Sequence, residues 1–168
     1  SVLKIVRTNE AAIDLIEEGF VQASRALTNE RREYIANLVC NGISVEAKKN
    51  SDSKYVLKLL GEFNDEEIIW LCSYMYIGTE RYREFIKKHH ETLKPVSRSN
   101  DVSQTEIEEA AIQDSYNNHL ERLNLIVSNY KVDKSSNQLI LDRNGKPKLL
   151  NRRLTSLGKL LLKQIGVT

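Results

Sequence analysis

The sequence predicts a mainly α fold carrying one β-hairpin, and three observations lead there. Apolar residues recur at helical spacing over most of the 168 residues, helix-capping residues stand at regular intervals, and strand-forming residues flank an Asn-Gly turn only near the end. With 40% hydrophobic and 29% charged residues the composition is that of an ordinary folded protein. A chain of this length buries roughly 70% of the surface its unfolded form exposes, so no disulfide or metal staple is needed.

The first helix is predicted from "TNEAAIDLIEEGFVQASRAL", with Thr8 as N-cap and Ile13, Ile16, Phe20 and Ala23 on the inward face. In "TNERREYIANLVCNG" Thr28 is the cap, Ile35, Leu38 and Val39 form the stripe, and Gly42 supplies a left-handed close. These two helices are expected to pair antiparallel. Ser44 would cap a brief helix through Lys48, with "KKNSDS" at 48–53 as a polar loop before Tyr55, Val56, Leu59, Leu60 and Phe63 resume helical spacing.

Asn64 and Glu67 have the spacing of a capping box. The helix they open carries Ile68, Ile69, Trp70, Leu71, Cys72 and Met75, apolar nearly all round, and is predicted to be the most buried element. After a turn at "IGT", Tyr82, Phe85, Ile86 and Leu93 mark one further helix, stopped by Pro95. The stretch "VSRSNDVSQ" reads as a loop. Ser103 and Glu106 form a second capping box, opening the longest helix through Ile107, Ala110, Ala111, Tyr116, Leu120 and Leu123, with Leu125, Ile126 and Val127 as an apolar exit. "NQLILDRNGKPKLLNRRL" is then strand, turn at Asn144 and Gly145, and strand. Thr155 caps a last helix with Leu157, Leu160, Leu161 and Ile165 inward, closed by Gly166.

Helices, a hairpin and a short closing helix follow one another in the order of a winged helix. "HLERLNLI" resembles the end of the third helix in such domains, and "LTSLGKLLL" resembles the "LTxxGxxLL" segment that follows the wing in bacterial regulators of the MarR and PadR type. The resemblance covers about residues 64–168 and implies a C-terminal winged-helix-like unit (63–168). Wide apolar stripes in both halves, with the obvious loop at 96–104 internal to the second, predict that a helical N-terminal part (1–62) packs on it as one cooperative domain. In the front half "ALTNERREYIANLVCNGIS" and "LLGEFNDEEIIWL" resemble segments of bacterial helical proteins of the Abi-alpha type, linked to abortive infection of phage. That implies a setting of phage defence or prophage regulation.

Charge separates the ends. The formal net charge is +2, yet residues 128–168 carry nine Lys or Arg against two Asp, which leaves about −5 on 1–127. Lys131, Lys134, Arg143, Lys146, Lys148, Arg152 and Arg153 lie on or beside the wing, where cations can follow a phosphate backbone without reading bases. Against major-groove reading stands the acidic start of the third helix, with Glu106, Glu108, Glu109 and Asp114. The expectation is a non-enzymatic module that contacts duplex DNA through its wing, or, as the alternative, an adaptor whose winged helix holds a protein partner; a homodimer is a further partner reading.

No catalytic group, metal site or cofactor is expected. The seven glycines form no phosphate loop, and the adjacent His89 and His90 point about 100° apart on a helix, too far round to clamp one ion. His119 reads as a solvated or capping residue, the paired glutamates as helix-start charges, and Cys40 and Cys72 as small core residues. Cysteine usage points to a reducing cytoplasm, and no run approaches the roughly 20 apolar residues of a membrane span. The chain begins at Ser1 and has its one methionine at Met75, which predicts a piece whose native start lies upstream.

Overall fold

The structure is a computed structural model, describing residues 10–43, 47–96, 103–143 and 145–167. It is mostly helical with one two-stranded antiparallel sheet: α1 (Glu10–Arg25), α2 (Asn29–Ile43), α3 (Ala47–Gly61), α4 (Asp65–Tyr76), α5 (Arg81–Lys88), α6 (His90–Leu93), α7 (Gln104–Arg122), β1 (Ile126–Tyr130), β2 (Leu149–Leu154) and α8 (Ser156–Gln164). Two compact units are present, Ser1–Ile68 with Leu160–Thr168, and Ile69–Lys159. The caps expected at Thr8 and Ser44, most of the loop at 96–104, and Asn144 lie outside the described residues.

In the first unit α1, α2 and α3 pack against one another. The α1 face that turns inward is Ala12, Leu15 and Gly19, one residue out of step with the expected one, and Ile13 and Phe20 are exposed. Close approach decides this. A Cβ on Gly19 would lie 2.6 Å from Val39 Cγ2, and one on Gly42 would lie 2.4 Å from Leu15 Cδ2, so small residues on both helices let α1 and α2 run antiparallel at short range. Gly42 therefore sits buried within α2 rather than closing it. Residues 48–53, expected as a loop, are helical within α3. The reason is again tertiary, since Ser53 is buried against Gly42 and the segment holds no glycine or proline to stop a helix. In the same helix Leu57 is buried and Tyr55 is exposed, reversing the expected role of Tyr55.

Local caps match the sequence. Thr28 Oγ1 accepts from the Arg31 amide at 3.2 Å and donates to Asp65 Oδ2 at 2.7 Å. The Asn64–Glu67 box is closed both ways at 2.8 Å. Arg31 spans the α3–α4 junction, its Nη2 donating to the carbonyls of Leu60 and Phe63 at 2.5 and 2.6 Å and its Nη1 lying 3.5 Å from Asp65. The end of α8 joins this unit: the side-chain amides of Asn37 and Asn41 donate to the carbonyls of Ile165 and Gln164, satisfying groups that a helix end leaves open. Gly166, with φ of 83°, and the Val167 amide bonded to Leu162 complete a Schellman close. Leu161, Leu162 and Ile165 are buried; Leu160, expected inward, is exposed.

Leu71 and Cys72 of α4 are buried, and burial pushes the Cys72 thiol up to about 12. Trp70 is only half-buried, and Cys40, expected in the core, is exposed. In the second unit the helix expected from Tyr82 to Leu93 breaks at His89, whose ring packs on Phe85 with centroids 4.5 Å apart. The Ser103–Glu106 box opens α7. Its inward residues are Asn117 and Leu120, whereas Ile107 and Ala111 are exposed.

Candidate nucleic-acid interface

The basic residues of the C-terminal part stand on a β-arm between α7 and α8. Its root is held by a short set of contacts. Asn124 takes a left-handed φ of 58°, turning the chain out of α7, and the buried Leu125 carbonyl accepts from the Thr155 amide at 3.0 Å. Thr155 Oγ1 donates to Asn124 O at 2.6 Å and accepts from the Gly158 amide at 3.0 Å, so this residue both ties the two ends of the arm and caps α8. A Cβ on Gly158 would fall 2.3 Å from the Leu125 carbonyl oxygen. Thr155 and Gly158 of the "LTxxGxxLL" pattern thus have local physical roles, and its Leu161 and Leu162 are buried.

The stem pairs Ile126–Tyr130 with Leu149–Leu154, with a bulge at Leu150 between the Asn129–Asn151 and Tyr130–Leu149 pairs. The first strand is therefore the stretch expected to be an apolar exit from α7, and residues 137–141, expected as that strand, make only isolated bridges. One face of the stem turns toward α7. Glu121 accepts from the Ser128 amide and hydroxyl, both at 2.9 Å, and Arg152, opposite Ser128, lies beside the Tyr74 hydroxyl, which donates to Asn117. Burial raises the Tyr74 pKa, and the adjacent Arg152 opposes that rise.

Beyond the stem the chain forms a three-way junction. The Lys131 amide donates to Lys148 O, the Lys148 amide to Ile140 O and the Ile140 amide to Lys131 O, at 2.8 to 2.9 Å. From this ring extend the stem and two small hairpins, bridged at Val132–Leu139 and Leu141–Pro147. In the first turn the Asp133 carboxylate accepts from the Ser135 hydroxyl at 2.5 Å and from the amides of Ser136 and Ser135 at 2.9 and 2.8 Å, which together hold its pKa at about 2, and Asn137 has φ of 56°. In the second, Asp142 Oδ1 accepts from the Lys146 amide at 2.9 Å and Gly145 has φ of 73°.

Every described residue from Lys134 to Asn151 is exposed. Lys134, Arg143, Lys146, Lys148 and Arg153 are accordingly open to solvent, and Lys131 is half-exposed. Arg152 differs, being half-buried against Tyr74 with its Nε enclosed. The acidic start of α7 is engaged locally: Glu106 with Ser103, whose hydrogen bonds lower its pKa, Glu108 with Gln104 at 3.0 Å, and Glu109 with Lys94 at 3.2 Å.

Sequence reasoning missed the apolar content of the arm. Tyr130, Val132, Leu139, Leu141, Pro147 and Leu149 form three cross-strand pairs around the junction. Partners in an antiparallel pair share a face, and so do residues two apart along a strand. These six therefore ring one face, with Lys131, Ile140 and Lys148 at the alternate positions. The signal was present as alternation in "YKV" and "PKL" and as the apolar run "LIL".

Among the described residues no group of three His, Cys, Asp or Glu is placed to hold a metal, and no helix is long and apolar enough to cross a membrane. No protein-family model, curated protein or solved structure matches the chain.

Proposed function

We propose that the chain is a binding module in which a winged helix, formed by α7, the β-arm and α8, contacts the backbone of duplex DNA. The observation that carries this reading is the density of solvent-open cations on the arm: Lys134, Arg143, Lys146, Lys148 and Arg153, with only Asp133 and Asp142 as acidic neighbours. Both carboxylates already accept backbone amides in their own turns. Such cations displace counterions from phosphate and bind without base selection. Arg152 is better suited to orienting the stem than to touching phosphate, because its guanidinium is engaged by Tyr74.

Titration of the intact chain with random-sequence duplex at two salt concentrations tests this. Replacing Lys146 and Lys148 by Ala weakens binding to all sequences alike and flattens the log-log salt dependence by about 0.9 for each phosphate that is no longer neutralised. Salt-insensitive or undetectable binding would remove DNA from the reading.

The acidic start of α7 and the apolar ring on the arm favour a second reading, a protein adaptor. Phage defence or prophage regulation in a bacterial cytoplasm is the setting supported by the sequence resemblances; loss of phage restriction on deleting the arm in producing cells is the expected outcome there, and unchanged plaque counts would count against it.

A further inference from the structure

We propose that the apolar face of the β-arm docks α1 of a second copy of this chain. The inference does not rest on the DNA reading, since it is carried by the apolar side chains of the arm and is tested without nucleic acid.

The arm face offers Tyr130, Val132, Leu139, Leu141 and Leu149, each between 37% and 55% exposed, together with the exposed Pro147. A contiguous apolar surface of this kind marks an interaction site rather than ordinary surface scatter. Its rim is cationic: residues 126–154 carry seven Lys or Arg against two Asp. Lipid is a poor occupant, because the face ends in two polar turns, Asp133–Asn137 and Asp142–Lys146, each built around an aspartate that accepts backbone amides. Pairing of one arm face on another is disfavoured too, as it would bring the two cationic rims together. The occupant indicated is an apolar strip with an acidic border.

The first unit carries such a strip. Ile13 and Phe20 stand seven apart on α1 and Leu27 follows just past its end; Phe20 and Leu27 are 73% and 95% exposed, with Val21 beside Phe20 at 44%. Residues seven apart lie on nearly the same side of a helix. Residues 10–27 carry Glu10, Asp14, Glu17 and Glu18 against Arg25 alone, and although Asp14 pairs with Lys54 at 2.7 Å, Glu10 and Glu17 are exposed along the strip. An apolar ring with a basic rim thus faces, on another copy, an apolar stripe with an acidic rim. This is a heterologous contact that opposite charges steer and whose apolar anchors hold it.

Light scattering on the full chain, across micromolar to submillimolar concentrations, is the test. The wild-type chain self-associates, and raising the salt concentration weakens the association. Phe20→Glu and Leu141→Glu each weaken it by about tenfold or more, as removal of an interface anchor does. Both positions are exposed, so circular dichroism remains that of the wild type. The deciding measurement mixes the two variants: one supplies an intact arm and the other an intact α1, and a dimer of one of each returns. A monomeric wild type overturns the proposal, and so does association that survives Phe20→Glu while failing in Leu141→Glu, which identifies an arm-on-arm contact. Should either variant misfold, the pair Glu17→Lys and Lys146→Glu gives the same cross-complementation, and failure of that mixture to associate better than either variant alone also overturns it.

Discussion

The helical trio α1–α3 and the β-arm are shaped by different forces. In the trio Leu15, Leu38, Leu57 and Leu60 are fully buried, and Gly19 and Gly42 let the backbones close on them. Among the described residues the arm has no comparable interior from Lys134 to Asn151; its form comes from the amide ring at Lys131, Ile140 and Lys148 and from two aspartate-centred turns. A region built by burial commits its large side chains to stability. One built by backbone and turn hydrogen bonds leaves them free to meet a partner.

The contrast is broken most directly by equivalent truncations. Leu38→Ala, at 0% exposure, is expected to cost about 2–5 kcal/mol through forfeited transfer energy and a residual cavity. Leu139→Ala, at 50% exposure, is expected to stay within about 0.5 kcal/mol of the wild type. Chemical denaturation measures both, and similar destabilisation by the two would mean that the arm has a core after all.

A smaller effect is expected at the root of the arm, where the two modes of construction meet. Gly158→Ala forces a methyl against the Leu125 carbonyl oxygen, and overpacking of this kind costs about 1–3 kcal/mol. The Thr155 amide bonds that same carbonyl, so hydrogen exchange at Thr155 is expected to accelerate. A neutral outcome would show that α8 can shift without disturbing the arm.

The smallest effect sharpens the comparison by pH. Asp133 is held at about 2, so the turn stabilisation its carboxylate supplies is complete above the ordinary aspartate value and is lost as pH falls through about 2. Carboxyl and amide NMR titration is expected to show the amides of Ser135 and Ser136 following that midpoint, because they donate to Asp133. Among the described residues the trio has no such turn in this role, and its core amides are expected not to report the Asp133 transition. An ordinary Asp133 titration would place the turn's rigidity elsewhere.

These contrasts also mark where the sequence was readable. The caps at Thr28, Asn64 with Glu67, Ser103 with Glu106, and Thr155, together with the Gly166 close, followed from residues three or four positions apart. The cations of the arm could be counted in the chain; the inward engagement of Arg152 could not, since its partner Tyr74 lies on another element. The apolar ring was written as alternation and one apolar run, but its three pairs depend on a junction among Lys131, Ile140 and Lys148 that no local spacing announces.

The amino-acid order by itself determined the caps at Thr28, Asn64, Ser103 and Thr155, the close at Gly166 and the concentration of positive charge near the C-terminus, because a cap needs partners only a few residues away and charge is a property of composition. Tertiary structure decided that Ala12, Leu15 and Gly19 face inward in place of Ile13 and Phe20, that Gly42 is a point of close approach, that 48–53 continues a helix, and that two small hairpins branch from the stem between Tyr130 and Leu149. Each of those outcomes depends on which distant backbone comes near enough to exclude water or exchange a hydrogen bond, and a one-residue shift along a helix turns a different side chain toward it.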